Sequence, residues 1–228
     1  MKDKDKLIIA IVAVLAIIVA VGGATYAYWS WVSDTANQTS VNFTVIGGSN
    51  DINAKINGNG TTTITKLIPT ASCTSSNALV KAVDITYLNN TTSKARITAN
   101  LKVTNFTASS AGTPTADNLT HLKWSITKTQ SLCTDDSSEN YVAGGDFSGS
   151  TGNPNLLSAT GSTKIDVATI TNEIAANVTT ETSIPTYYLH VWLDSEYEHT
   201  NVGNVNNDPM QNISFTLEWS GTIEQIAG

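Results

Sequence analysis

The stretch that decides the fold is LVKAVDITYLNNTTSKARITANLKV, residues 79–103. Both of its halves carry an apolar residue at every second position: Val83, Ile85 and Tyr87 in the first, and Ile97, Ala99, Leu101 and Val103 in the second. A period of two is that of a β-strand with one buried face. The intervening NNTTSK at 89–94 favours a turn. The pattern therefore predicts an antiparallel hairpin with one buried face.

The same alternation recurs elsewhere in the chain. It predicts three more strands, which are VNFTVI at 41–46, HLKWSITK at 121–128 and ISFTLEWSGTI at 213–223. YYLHVWL at 187–193 is apolar on both faces, which predicts a central strand, whereas 165–176 fits either a strand or a helical turn. No period near 3.6 is sustained past residue 32. The sequence thus predicts an all-β fold, with a single sandwich or jelly roll over residues 49–228.

Two stretches rich in turn residues are predicted to be loops. One is TASSAGTPTADNL at 107–119, and the other runs from 135 to 157 and contains several glycines. Loops as long as the second are usually functional or disordered.

The N-terminus has the features of an export signal. Lysines in MKDKDK precede the apolar run of residues 7–21, and Gly22-Gly23 breaks the helix. Thr25 and Ala27 are small residues at the two positions that a signal peptidase inspects, so 1–27 is predicted to be a signal peptide and Tyr28 the new N-terminus. The alternative is an uncleaved membrane anchor, because extending the run to Trp31 gives a spanning length. In both cases the chain from Tyr28 onward leaves the cytoplasm.

Residues 22–48, GGATYAYWSWVSDTANQTSVNFTVIGG, resemble the N-terminus of the TasA/camelysin family. Residues 186–224 are similar to the closing strands of surface proteins from low-GC Gram-positive bacteria that carry the same type of leader. The resemblance implies processing by a SipW-type signal peptidase, only transient contact with the membrane, and a jelly-roll-like fold. It also implies a secreted protein of the cell surface or biofilm matrix.

The charge balance excludes one class of partner. The chain has a formal net charge of −7, and only 14% of its residues are charged. Without Lys2, Lys4, Lys6, Asp3 and Asp5, nine basic and 17 acidic residues remain, which gives −8. Such an acidic surface repels phosphate backbones, so nucleic-acid binding is not expected.

Cys73 and Cys133 are the only cysteines. In an oxidising compartment an even number of cysteines predicts a disulfide, and the alternative is a pair of reduced core thiols. No further soft ligands at short spacing point to a zinc site.

The sequence contains no recognisable catalytic constellation. His121, His190 and His199 are the only histidines, and neither an HExxH motif nor a Gly-x-Ser-x-Gly elbow is present. We therefore expect no enzymatic activity and no cofactor, and we interpret His190 as an ordinary strand residue. Oxygen donors gather in residues 194–208, where the weak calcium candidates are Asp194, Glu196, Glu198 and Asp208. The alternative for this segment is a solvated hairpin loop.

The remaining hypothesis concerns the segment 28–48. Its predicted donor residues are Trp29, Trp31, Val41, Phe43 and Val45. An extended segment of this kind can fold back on its own domain or add to a neighbouring subunit, and head-to-tail addition grows a filament. The resemblance implies the filament, so we expect Phe43→Asp to abolish it and leave the monomer folded. A segment already seated in its own sheet, with no sheet edge left unpaired, would count against this hypothesis.

The alternative hypothesis is a membrane-anchored surface adhesin. In this case the uncleaved helix stays in the bilayer and the loop at 135–157 contacts a partner.

Overall fold

The computed structural model describes residues 41–46, 51–58, 60–65, 69–73, 78–131, 133, 139–197, 208–210 and 212–226. The predicted signal peptide, residues 1–27, lies outside the described residues. So do Tyr28, Trp29 and Trp31.

Within the described part of the chain, almost all regular structure is β-strand. The strands are β1 (Val41–Asn42), β2 (Thr44–Ile46), β3 (Ile52–Asn57), β4 (Thr61–Thr65), β5 (Pro69–Thr70), β6 (Leu79–Asn89), β7 (Ala95–Thr107), β8 (Leu122–Thr127), β9 (Tyr141–Asp146), β10 (Ile165–Ile174), β11 (Val178–Ser183), β12 (Tyr187–Asp194) and β13 (Ser214–Gln225). One helical turn, α1, spans Ala116–Leu119, and a 3-10 turn spans Leu156–Ser158.

The described strands form two sheets. The larger sheet has the order β1-β3-β6-β12-β8-β9, with β11 added to β6 and β5 added to β12. The smaller sheet has the order β10-β7-β13-β2, with β4 added to β13. Alternate side chains of both sheets bury one continuous apolar cluster that extends from Phe43 to Ile223. The predicted all-β sandwich is confirmed.

The predicted hairpin of residues 79–88 and 95–103 is wrong. Both strands exist, but β6 pairs with β3, β11 and β12 in the larger sheet, and β7 pairs with β10 and β13 in the smaller one. The connection crosses the roughly 10 Å between packed sheets. Asn89 holds it in place, because its buried side-chain amide donates to the carbonyls of Ser93 (3.0 Å) and Ala175 (2.9 Å). The alternation identified the buried face of each strand and did not identify its neighbours.

The central strand was predicted correctly. β12 lies between β6 and β8, and most of its side chains are buried. The ambiguous segment 165–176 forms the strand β10, which pairs with β7.

Both predicted loops contain regular structure. The first holds α1, whose Thr115 hydroxyl accepts from the Asn118 backbone N–H (3.2 Å), while the Thr115 N–H donates to the Asn118 side chain (2.9 Å). The second holds β9, which pairs with β8 along its length. β9 was missed because Gly144 and Gly145 in its middle are typical of turns.

Candidate functional site

Residues 41–46 do not form one strand. Val41 and Asn42 pair antiparallel with Ile56 and Lys55 of the larger sheet. The chain then crosses over, and β2 pairs in parallel with residues 222–224 of β13 in the smaller sheet. Between the two short strands, the Phe43 N–H donates to the Ala54 carbonyl (2.9 Å). The segment therefore joins the margins of both sheets.

We call the groove that holds this segment the seat. Its walls are residues 54–56 of β3 and residues 221–224 of β13. Phe43 fills the groove and is only 7% exposed, while Val41 and Val45 pack against the same core from half-buried positions. The predicted apolar side of the segment thus faces the core of its own chain.

Gly221 provides the space for the Phe43 ring. A Cβ atom at this position would lie 2.5 Å from ring carbons Cδ1 and Cε1 of Phe43, which is too close for either to stay in place. A glycine inside a strand often marks such a close approach. The sequence carries this signal, because Gly221 interrupts a clear period-two pattern of apolar residues.

The segment in the seat also completes one edge of β13, through the pairing of β2. One edge of this strand pairs with β7 along its length. On the other edge, β4 pairs with residues 214–218 and β2 with residues 222–224. If β2 left, this second half of the edge would lose its backbone partners, and an open strand edge is a template for another chain.

These contacts change one expectation. Because Phe43 belongs to the core of its own chain, an aspartate there would place a charge in an apolar groove. In place of the expectation that Phe43→Asp leaves the monomer folded, we therefore expect this change to destabilise the monomer as well.

The predicted disulfide joins Cys73 and Cys133, whose Cα atoms are 6.1 Å apart. It lies on the outer face of the larger sheet. Together with Ala78 and Trp192 it forms a second, smaller apolar cluster. The disulfide thus fastens two segments over the sheet.

His190 lies beneath this disulfide and is fully buried. The Thr127 hydroxyl donates to the Thr129 carbonyl (2.7 Å), so the His190 Nε2–H is the donor in its 3.0 Å contact with the Thr127 oxygen. The Nδ1 atom is 3.8 Å from the Cys73 sulfur. Burial lowers the pKa of His190, and the Cys73 backbone partly offsets this effect. These contacts agree with the interpretation of His190 as a structural strand residue.

The carboxylates predicted as weak calcium candidates bind donors of their own chain. Asp194 accepts from His121 Nδ1 (3.0 Å) and from the Glu196 N–H (3.0 Å). Asp208 is buried and accepts from the Tyr197 hydroxyl (2.6 Å), and burial followed by this contact raises the pKa of Tyr197.

The other two calcium candidates do not complete a group of carboxylates that could hold a metal ion. Glu196 is exposed, and Glu198 lies outside the described residues. Among the residues that the structure describes, no group of three or more His, Cys, Asp or Glu side chains is placed to hold a metal ion.

Comparisons with known proteins give no family assignment. No family model matches the chain, and no curated protein matches it in sequence. Of the helices in the described ranges, none has the length and apolar character needed to cross a bilayer. The resemblance noted from the leader and the closing strands stays a prediction.

Proposed function

We propose that the protein is a secreted structural subunit of a cell-surface or biofilm-matrix fibre of the TasA/camelysin type. Residues 28–48 of one chain would occupy the seat of the next, including the donor residues Val41, Phe43 and Val45. The proposed role is structural and not catalytic. Export through a SipW-type signal peptidase would free the segment at Tyr28.

The observation that carries this proposal is the construction of the seat. Its occupant lies on the N-terminal side of β3 and is held by two short strands and one aromatic ring, and no disulfide fastens it to either sheet. An identical segment from a second chain can make the same contacts. Exchange of a terminal element between identical chains conserves those contacts, and its head-to-tail form generates an open filament.

Residues 41–46 are already seated in the sheets of their own chain, which counts against the proposal in its simplest form. In a single chain the segment fills its own seat, so the seat is not open to a segment from a second chain. A fibre therefore requires that the segment leaves its own seat and enters a neighbour's. Whether a fibre forms depends on the free energy of seating these residues in a neighbouring chain relative to seating them in their own chain.

A complementation experiment with two variants of the processed chain tests this. Phe43→Ala weakens the donor and keeps the acceptor, whereas Gly221→Val blocks the acceptor and keeps the donor. We expect wild type to form filaments and each variant alone to stay monomeric. An equimolar mixture should give pairs that do not grow, because only one productive contact per pair is possible.

Analytical ultracentrifugation and electron microscopy measure these outcomes, and circular dichroism checks that both variants fold. If Gly221→Val fails to fold, Gly221→Ala provides a smaller obstruction. A mixture that remains monomeric, or wild-type protein without filaments, contradicts the proposal.

A membrane-anchored binding module is the second candidate function. The observation that favours it is a cavity beside Trp192 on the outer face of the larger sheet. Mass spectrometry of the protein recovered from cells separates the two candidates. An N-terminus at Tyr28 favours the secreted subunit, and an intact Met1 favours the anchor.

A further inference from the structure

The two sulfur atoms of the disulfide differ in their access to solvent. Cys73 is buried, with 1% of its surface exposed, whereas Cys133 is only partly buried. Cys133 also lines the cavity beside Trp192, which has a volume of about 510 Å³, and Cys73 does not. This volume is within the usual range for small-molecule sites. A small molecule in the cavity can therefore reach the disulfide from the Cys133 side.

The buried sulfur faces a hydrogen-bond acceptor. The His190 Nε2–H donates to the Thr127 oxygen, so the Nδ1 atom of the neutral imidazole carries a lone pair. The Cys73 sulfur lies 3.8 Å from this Nδ1 atom. In the disulfide the sulfur has no hydrogen to donate, whereas a Cys73 thiol can donate its S–H to Nδ1. The core can therefore hold Cys73 as a thiol as well as in the disulfide.

We propose that Cys133 is a site of thiol–disulfide exchange with a small thiol. The thiolate of the small molecule attacks the Cys133 sulfur and forms a mixed disulfide there. The bond from Cys133 to Cys73 breaks, and its electron pair goes to the Cys73 sulfur. This sulfur takes up a proton from water, which replaces the proton that the small thiol released. One disulfide replaces another, so no oxidant or reductant is consumed.

The burial of Cys73 allows the mixed disulfide to persist. The reverse reaction needs a Cys73 thiolate, and the apolar cluster that Cys73 shares with Ala78 and Trp192 disfavours the charged form of a thiol. The thiol stays protonated, with His190 as its acceptor. The native bond is unchanged when no small thiol is present. The exchange does not depend on polymerisation, and it applies equally to a monomer.

The charges at the cavity select the class of thiol. The Lys123 ammonium is 3.9 Å from the Asp194 carboxylate, so these two charges largely balance each other. Glu196 adds an exposed carboxylate to the lining. The remaining charge at the cavity is negative, as is the net charge of the chain, −7. We therefore expect cationic and uncharged thiols to react faster than anionic ones.

Mass spectrometry of the folded, processed chain after exposure to small thiols tests the site. The thiols are the cationic cysteamine, the uncharged 2-mercaptoethanol and the anionic 2-mercaptoethanesulfonate. We expect adducts on Cys133 with Cys73 free, and rates per thiolate that are highest for cysteamine and lowest for the sulfonate. Glu196→Gln should lower the ratio of the cationic to the anionic rate about threefold. Glu224→Gln, at an exposed position on the smaller sheet, is the matched control and should leave the ratio unchanged.

Two variants of His190 test its role as the acceptor. His190→Phe removes the acceptor, so the equilibrium constant for mixed-disulfide formation should fall roughly fivefold, which corresponds to one hydrogen bond. His190→Gln should stay close to wild type, because its amide N–H can donate to Thr127 and its oxygen can accept from Cys73. A purely structural role would destabilise the disulfide and the mixed disulfide alike and would leave this equilibrium unchanged.

Single-cysteine variants check which sulfur is accessible. Cys133 in the Cys73→Ser variant should react with 4,4′-dithiodipyridine at least about tenfold faster than Cys73 in the Cys133→Ser variant. Equal reactivity, or adducts mainly on Cys73, would overturn the assignment of Cys133. The proposal is also wrong if none of the three thiols reacts while the chain stays folded, if the anionic thiol reacts fastest, or if His190→Phe leaves the equilibrium unchanged.

Discussion

Two segments at the margins of the sandwich are attached in different ways. The N-terminal segment adds β2 in parallel to β13, and the segment before Cys73 adds β5 in parallel to β12. Both strands are very short. The first is secured by the Phe43 ring packed over Gly221, and the second is secured by the bond from Cys73 to Cys133.

The difference indicates which part of the molecule can be exchanged between chains. Burying a phenylalanine side chain stabilises by about 1.5–3 kcal/mol, and the same contact forms whether the ring comes from its own chain or from another. A disulfide does not exchange with a neighbour unless a covalent bond breaks. We therefore expect the N-terminal segment to be the exchangeable element and the outer face of the larger sheet to be permanent.

The largest expected effect concerns the covalent attachment. The Cys73→Ser/Cys133→Ser double variant should lose about 4 kcal/mol of unfolding free energy, because the bond closes a long loop, with the two cysteines 60 residues apart. Guanidinium denaturation of the processed chain measures the loss. Wild type in reductant should match the double variant. If the bond contributes less than about 1 kcal/mol, well below its typical range, the two attachments do not differ as described.

The second effect concerns the non-covalent attachment. Phe43→Ala should lose about 3 kcal/mol, because it empties a groove in which the ring is 7% exposed. Gly221→Ala displaces the same ring, so the two changes should not be additive in a double-mutant cycle. Urea denaturation of the two single variants and the double variant gives the coupling energy.

Ile46→Thr is the control for this cycle. It lies in the same segment but is 51% exposed, so its stability should stay within about 0.5 kcal/mol of wild type. Strictly additive losses for Phe43 and Gly221, or a loss at Ile46 equal to that at Phe43, would show that the ring does not hold the segment.

The sequence was sufficient to predict the strands with a regular period-two alternation and their buried faces. Period-two alternation at Val83, Ile85 and Tyr87 depends only on which side chains meet the core, and this is a local property. Pairing between strands is not local. A connection such as 89–94 can turn back within one sheet or cross to the other, and the choice depends on contacts like that from Asn89 to Ala175, which is distant in sequence.

For the candidate sites, too, the sequence predicts local features and does not predict contacts between distant segments. The disulfide could be predicted because the chain has only two cysteines. The apolar side of residues 41–46 could also be predicted. Its seat could not, since Gly221 acquires its role only when β13 lies beside the N-terminal segment. The cavity was missed for a similar reason, because Ser125 and Trp192 are brought together only by the register of β8 and β12.

The smallest effect is a dependence on pH that reports whether the disulfide-linked segments stay closed over His190. Burial keeps the pKa of His190 below its ordinary value of 6.5, so below that pH the unfolded chain binds more protons than the folded one. Unfolding free energy should therefore be highest above pH 6.5, fall as the pH decreases through 6.5, and level off below the folded-state pKa.

His190→Gln should flatten this profile, because glutamine can still donate to Thr127 and does not titrate. Denaturation midpoints measured from pH 8 to pH 5 compare the two proteins, and histidine NMR titration of the wild type gives the pKa directly. A normal pKa, or a profile that His190→Gln leaves unchanged, would mean that water reaches the ring. The segments joined by Cys73 and Cys133 would then open as readily as the N-terminal segment, and the contrast between the two attachments would not hold.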